Sequence, residues 1–383
     1  MQKLSLLYAL TIIIYFNPLA TNNALQRRIK DYSSNRMGNQ NKIVSFAMLK
    51  KYLVMHFSII IPLYNRPDEL DELLASLCKQ TNKQFEVIVV EDGSDKKGDT
   101  VVEKYHNKLP LIYFEKMNSG PGLTRNAGAR KANNDYLIFF DSDCIIPENY
   151  IEIVSQFLNK QYTDAYGGPD AALPAFSAIQ KAVNYSMTSF FTTGGIRGRK
   201  RSIDKFHPRS FNLGVSREAF NAIGGYGKMR FGEDIDFSLR LLKNGFKTAL
   251  IPDAYVYHKR RSTFKQFFKQ VYNSGIARIN LHLAHPGSLK PVHSFPALFV
   301  TGMAAIFILS PLLPHLLLIP AAYSMLLFID SLLKNRSVKV ALLSIAASWI
   351  QLTGYGAGFL SAIWKRLILK KGEFKAFEKK FYN

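Results

Sequence analysis

The sequence predicts an α/β protein, a mostly parallel sheet with helices on both faces, followed by apolar C-terminal helices. Three observations predict it. The unbroken apolar run at 136–140, and the largely apolar runs at 57–62 and 85–90 with only Ser58 and Glu86 polar, have the form of buried strands. Segments of helical spacing alternate with them, the signature of parallel pairing with crossover helices. Beyond Pro296 charge nearly vanishes over 297–313, 315–329 and 338–364.

Taken in order, residues 57–62 form a strand that stops at Pro62, and 68–79 place apolar residues on one helix face. The strand at 85–90 ends in the turn Glu91-Asp92-Gly93-Ser94. A helix near 100–107, a short strand at 111–114, a helix over 123–132 and the strand at 136–140 follow. Each polar loop after a strand falls on one sheet edge, where open α/β sheets bind ligands. Further on come a helix at 151–160, a strand and Gly-rich bend at 162–169, helical spacing over 176–191, an extended stretch at 211–216 and a helix at 217–223. The turn Gly224-Gly225-Tyr226-Gly227 leads to a helix that opens on Glu233-Asp234-Ile235-Asp236 and runs through Lys243, and 246–251 is another strand. Residues 194–201, rich in glycine and cations, have no period and form a loop. The segment 263–280, basic on one side and aromatic on the other, either lies on a bilayer surface or packs on the domain.

The organisation expected is an N-terminal extension at 1–54, an α/β domain at 55–262, a juxtamembrane segment at 263–294, two to three membrane helices within 295–365 and a basic tail at 366–383. The apolar run 4–20 reads as a signal peptide or a marginal anchor, with 21–51 as a linker; alternatively translation begins at Met48 or Met55. In 383 residues, 48% hydrophobic and 13% aromatic, disorder is excluded. Two cysteines give neither a disulfide framework nor a zinc spacing, which suits a cytosolic domain. A formal charge of +22, clustered near 197–209, 259–269 and 365–380, points to membrane lipids or a phosphorylated small molecule; no motif for nucleic acid accompanies it. The expected location is the cell membrane, multi-pass, with the α/β domain facing the cytoplasm. Three spans would leave the basic tail outside, against the positive-inside tendency, so one segment is expected to be re-entrant or interfacial. Gly354, Gly356 and Gly358 single out the third.

The chemistry lies in carboxylates after strands: Asp92, then Asp141 and Asp143, then Glu233 and Asp234. Asp-Ser-Asp in a loop offers two oxygens to one hard divalent cation, which commonly holds substrate phosphates. Singly, each group has a plainer reading: Asp92-Gly93 as a turn, Asp141-Ser142-Asp143 as a cap, and the acidic group at 233–236 as helix N-terminal charge. Their order along one edge favours a single site.

Through the opening at 58–65, the Glu91-Asp92-Gly93-Ser94 loop, Asn118 with Arg125-Asn126-Ala127-Gly128, Asp141-Ser142-Asp143, and Gly232-Glu233-Asp234 with Asp236, the chain resembles the family 2 glycosyltransferases of the GT-A fold over about residues 57–260. The resemblance implies transfer of a sugar from a nucleotide-diphosphate donor, a UDP-sugar by preference, to a glycan or lipid-linked acceptor. It implies that Asp141 and Asp143 hold a divalent metal, Mn or Mg, with His258 as a further ligand. Pro62, Tyr64, Asn65, Asp92, Arg125 and Asp141 would bind the donor. Asp234 would be the catalytic base, with Glu233 and Asp236 on the acceptor side. The cluster 197–201 would clamp phosphate oxygens or meet lipid headgroups. Attack from the face opposite the leaving group inverts the anomeric centre. Two rivals stand: a sugar-phosphate nucleotidyltransferase, which lacks a Gly-rich loop at Pro62-Leu63-Tyr64-Asn65-Arg66-Pro67, and a non-catalytic membrane scaffold on the same fold. Single or limited addition is expected rather than processive synthesis, since 266–270 carries no Gln-x-x-Arg-Trp pattern.

Overall fold

The computed structural model describes residues 55–171, 176–193, 206–229 and 231–372. The expectations for 4–20, 21–51, Met48, the cation cluster at 194–201 and the end of the basic tail lie outside these residues. The first half alternates as expected: β1 (Phe57–Leu63), α1 (Pro67–Cys78), β2 (Phe85–Asp92), α2 (Asp99–Glu103), β3 (Leu111–Lys116), α3 (Pro121–Lys131) and β4 (Tyr136–Phe140). Both α1 and α3 start on a proline, whose fixed φ and missing N–H suit the first helical turn. After β5 (Cys144–Ile145) come α4 (Tyr150–Lys160), β6 (Ala165–Gly167), β7 (Asp170–Ala171), α5 (Ala178–Thr188), α6 (Phe190–Thr193), β8 (Asn212–Ser216), α7 (Arg217–Ala222), α8 (Glu233–Lys243), β9 (Thr248–Leu250) and β10 (Val256–His258).

Seven strands form one sheet in the order β3-β2-β1-β4-β8-β6-β9. Strands β1 to β4 pair in parallel, and β6 is parallel to β9. The exception is β8, antiparallel to both neighbours. Asn212 opens β8 opposite Phe140, the last residue of β4, so the strand starts at the ligand edge and runs away from it. A second sheet, β5-β10-β7, sits at that edge, and its strands of two and three residues are too short for periodicity to reveal.

Alternation along β1 divides the core. Ile59 and Ile61 pack with Leu70, Leu73, Tyr150 and Val154 under α1 and α4, while Ile60 joins Ala127, Phe139, Phe220 and Phe237 under α3, α7 and α8. Both faces are covered, which is why these strands read as largely apolar rather than alternating. A Cβ at Gly128 would stand 2.5 Å from Ile60 Cγ2, so glycine is what lets α3 settle on the sheet. Arg217 closes the C-terminal end of α3, donating from Nη1 to Ala129 O at 3.1 Å and from Nη2 to Ala132 O at 2.8 Å.

The C-terminal part contains α9 (Phe264–Ala284), α10 (Phe295–Leu309), α11 (Leu318–Asn335) and α12 (Val338–Ala362), with a wider π-helical turn at Ile363–Ile368. Helix α9 packs along α12 rather than lying alone. A Cβ on Gly275 would come within 2.1 Å of Tyr355 O, and one on Gly358 within 2.0 Å of Tyr272 O. A Cβ on Gly356 would meet Pro296 O at 2.2 Å, so α12 is pressed by backbone on two sides. The glycines of the third apolar segment therefore serve close helix packing, and α12 runs unbroken through them. By length and composition, Pro314–Asn335 and Val338–Ile368 suffice to cross a membrane; Phe295–Leu309 is shorter. Polar ties fasten these helices: Tyr185 OH donates to Asp330 Oδ2 at 2.7 Å, and Trp349 Nε1 to Ser324 Oγ at 3.1 Å.

Candidate active site

A cleft of about 2440 Å³ opens at the carboxyl edge of the sheet and continues between α9 and the apolar helices. Pro62 and Tyr64, at the end of β1, and Asp92, at the end of β2, line one side. Asp141 and Asp143 follow β4; Glu233 and Asp234 open α8; His258 ends β10. Residues far apart in sequence meet because parallel strands present their carboxyl ends together.

Asp92 is buried and its oxygens already hold the loop before α3: Oδ1 accepts from Ser119 N–H at 3.0 Å, Oδ2 from Gly120 N–H at 2.9 Å, and Lys116 Nζ pairs with Oδ1. Asn118 Nδ2 donates to Asp92 O at 2.9 Å. Asn65 lies beside the cleft rather than in its lining. It adopts φ +53°, its N–H donates to Ser94 Oγ at 2.7 Å and its Oδ1 accepts from Lys96 N–H at 2.9 Å, so its side chain ties two loops together. Asn126, within the same motif as Arg125, clamps the turn before α8, donating to Tyr226 O and accepting from Tyr226 N–H, both at 2.8 Å.

Arg125 is only 2% exposed, yet its fork reaches the cleft: Nη2 meets Asp141 Oδ1 at 2.5 Å and Nη1 meets Glu233 Oε1 at 3.4 Å. Burial disfavours its charge, but Asp141, Tyr226 and Glu233 together outweigh this and raise its pKa. Arg125 thereby connects the two carboxylate loops that sequence alone left separate.

Asp143 is flanked by Arg66 Nη1 at 2.7 Å and His258 Nε2 at 3.1 Å. Burial works to raise its pKa; His258 and Arg66 outweigh burial and hold it far below the usual carboxylate range. The register His258 opposite Cys144 explains the meeting, since β10 pairs antiparallel with the strand that follows Asp143. Phe211 stacks on the His258 ring at 4.9 Å. Ligand atoms of Asp143, Cys144 and His258 lie within 4.8 Å of one another, while Asp141 is turned to Arg125. Asp143 Oδ1 meets only His258 Nε2, and His258 Nδ1 is buried with no hydrogen-bond partner, so the pair keeps lone-pair capacity for a cation.

At the start of α8 two adjacent carboxylates part ways. Burial and the neighbouring Asp234 charge push Glu233 above the usual carboxylate range. Asp234 is also penalised by burial, but Arg209 Nη1 at 2.8 Å from its Oδ2 outweighs that and holds it below its ordinary value. Ile235 N–H adds a bond to Asp234 Oδ1 at 2.8 Å. Asp236 points away: its Oδ2 accepts from Arg240 Nη2 at 2.8 Å and its Oδ1 meets His285 Nε2 at 2.7 Å, joining α8 to the end of α9. Of the residues predicted for the site, Asn65 and Asp236 are thus placed in supporting positions.

Sequence reasoning did not single out Arg66 or Arg209, which pair with Asp143 and Asp234. Arg66, inside the Asn65-Arg66-Pro67 loop, carried a positional hint; Arg209 carried only its place at the end of the cation cluster near 197–209, which did not tie it to Asp234. Nor did it foresee that Arg278, Lys290, His293, Phe295, Phe299 and Met303 extend the cleft towards the apolar helices.

Residues 58–224 match the family model described as Glycosyl transferase family 2. A glycosyltransferase of Haemophilus influenzae is 32% identical over 217 residues, spanning 54% of this chain and 70% of that protein. The poly(ribitol-phosphate) beta-N-acetylglucosaminyltransferase TarS of Staphylococcus aureus is 37% identical over 115 residues, which are 29% of this chain and only 20% of TarS. Among solved structures, the mannosyltransferase PcManGT from Pyrobaculum calidifontis, in complex with GDP-Man and Mn2+, superimposes with a TM-score of 0.59 at 15% identity, over 84% of this chain and 95% of that one, a likeness of fold. With the motif order, the sheet and these relatives agreeing, the chain belongs to glycosyl transferase family 2.

Proposed function

We propose that the protein is a membrane-anchored, metal-dependent, inverting glycosyltransferase that moves a sugar from a nucleotide-diphosphate donor to a lipid-linked or glycan acceptor. The observation that carries this is the division of labour in one cleft: Asp141 and Asp143 at one wall, and Asp234, kept charged by Arg209, at another. The relatives agree in direction, since GgaB of Bacillus subtilis is a minor teichoic acid biosynthesis protein and the Pasteurella multocida relative is a chondroitin synthase. The PcManGT complex holds GDP-Man and Mn2+ on the same fold.

Asp143 and His258 fit a divalent cation, with Asp141 as a further oxygen donor once Arg125 turns from it to the donor. Such a cation, Mn2+ or Mg2+, supplies positive charge to the diphosphate leaving group. The chain's own groups do the rest. Pro62 and Tyr64 border the nucleoside side of the cleft, and Asp92 fixes the loop that faces it. Arg66 and Arg125 offer cationic N–H donors to phosphate oxygens. Asp234 takes the proton of the acceptor hydroxyl as that oxygen attacks the anomeric carbon opposite the leaving diphosphate. Glu233, held towards its neutral form, spares the site a second negative charge and can hydrogen-bond a sugar hydroxyl.

The acceptor end of the cleft favours a phosphate-headed lipid. Arg278, half-buried and hydrogen-bonded to Tyr355, lies close enough to feel Asp234, and partial burial lowers its pKa. Burial first, and then the cations Arg278 and Lys290 beside it, push His293 down to about 4. Phe295, Phe299 and Met303 continue the wall with apolar surface. Incubating the purified protein with nucleotide-sugars, Mn2+ or Mg2+, and short polyprenyl-diphosphate-linked sugars, whose sugar hydroxyl is the acceptor, should release nucleoside diphosphate and give a glycolipid of inverted anomeric configuration. Pyrophosphate release from a nucleoside triphosphate and a sugar phosphate would establish the nucleotidyltransferase instead.

A further inference from the structure

We propose that α10 and α11 form a wedge that enters one leaflet of a bilayer from the side of the α/β domain, reaches about half its depth, and returns without crossing. This inference concerns anchoring and stands whether or not the donor and acceptor chemistry above is right.

Between Ala297 and Pro320 no residue is buried. Ile308 is 75% and Leu312 80% exposed, and Phe307, Leu318 and Ile319 are exposed as well. From 291 to 329 there is no Asp, Glu, Lys or Arg. An apolar surface of this size, with no charge on it, matches acyl chains and not water.

Three geometric facts set the depth. First, the two limbs are held together at their base, where Phe299 and Tyr323 have ring centroids 5.7 Å apart and both touch Trp349. Second, the projecting limb from Val300 to Leu309 spans roughly 15 Å at about 1.5 Å per residue, half of the ~30 Å hydrocarbon core. The tip at Pro311 and Pro314 cannot continue either helix and turns the chain back. Third, α12 is no spanning partner for the wedge. Over its apolar window 44% of Val338–Ile368 is buried, against 11% of Pro314–Asn335, because α5 and α9 cover one side of it and α10 and α11 the other.

Charge at the base suits the headgroup layer. Lys290 precedes the wedge; Lys334 sits in the last turn of α11, and Arg336 and Lys339 follow it; Lys365, Arg366, Lys370 and Lys371 lie after α12. Tyr185 of α5 binds Asp330, so the base of α11 is fixed to the α/β domain. Met303 and Ile319 of the wedge also line the long cleft, which brings its acceptor end to the lipid surface.

The test uses the full chain, reconstituted in vesicles of phosphatidylethanolamine and phosphatidylglycerol, with single added cysteines and the unaltered protein as background control. A membrane-impermeant maleimide should label Ala284→Cys and Lys339→Cys from the face carrying the α/β domain. It should label Leu312→Cys from neither face until detergent is added. In vesicle flotation, Ile308→Glu/Leu312→Glu should lower the bound fraction at least tenfold while the protein stays folded by circular dichroism. Labelling of Leu312→Cys from the opposite face would show that α10 and α11 cross, and overturn the proposal. Labelling from the domain face, or cysteine cross-linking of Leu312→Cys between two copies in place of vesicle binding, would overturn it equally.

Discussion

Removing the cation beside Asp234 isolates what that carboxylate does. Arg209 Nη1 lies 2.8 Å from Asp234 Oδ2, with the two side chains 33% and 18% exposed. Two unit charges about 4 Å apart interact by about 4 kcal/mol at an effective dielectric near 20, equivalent to about 3 pH units at about 1.4 kcal/mol each. Partial exposure screens the pair, so about 1 to 2 units is the expected change, within the range seen for carboxylates beside arginine. The sign follows from the direction of the shift. Asp234 is held below its ordinary value, so its basic form persists into acid, and the pairing stabilises the fold above the unfolded carboxylate's pKa and is lost as pH falls through the depressed one. In Arg209→Gln the acid limb of kcat/KM should therefore move upward by about 1 to 2 pH units, with the plateau least affected at alkaline pH. Arg209→Lys should restore most of the limb. A limb that stays in place while activity falls equally at every pH would refute Asp234 as the base, because a merely structural role for Arg209 predicts that pattern.

Glu233→Gln should remove a pH dependence rather than create one. The folded-state pKa of Glu233 is raised, so wild-type stability falls as pH rises from the ordinary glutamate value through the raised one; thermal unfolding of the variant should be flatter across that window. His258→Ala should weaken Mn2+ binding at least tenfold by titration calorimetry, and Asp143→Ala should abolish it; binding unchanged in both would remove the metal from these residues. Asn126→Ala breaks the clamp on Tyr226 and should destabilise the protein by about 1 to 3 kcal/mol in urea unfolding, without changing Mn2+ affinity.

Much of the architecture was legible because the strands declare themselves. Residues 57–62, 85–90 and 136–140 are apolar but for Ser58 and Glu86 near the start of the first two, and each strand is covered on both faces in the structure. Asp92, Asp141 and Asp143 were legible because carboxylates after parallel strands converge on one edge, and Asp234 through the acidic run that opens α8 on the same cleft. Three things were not. The sheet β5-β10-β7 has strands too short to carry a pattern, yet it is what sets His258 beside Asp143. The direction of β8 depends on where the chain re-enters the sheet, which no local signal records. Asp236 shares the acidic start of α8, and helical spacing places it on a different side of that helix from Asp234, facing Arg240 and His285. Gly354, Gly356 and Gly358 marked the third apolar segment from the sequence, and the tertiary structure adds that Gly356 and Gly358 permit backbone contact between helices.

The central claim is that donor binding and proton removal are done by different carboxylates in one cleft. Sugar transfer and donor binding measured side by side on purified Asp234→Asn test it most directly. Transfer should fall by about 10²- to 10⁴-fold, the usual contribution of a general base, with metal-dependent donor affinity within a few-fold of wild type. Transfer at the wild-type rate, or loss of donor binding in step with transfer, would contradict it.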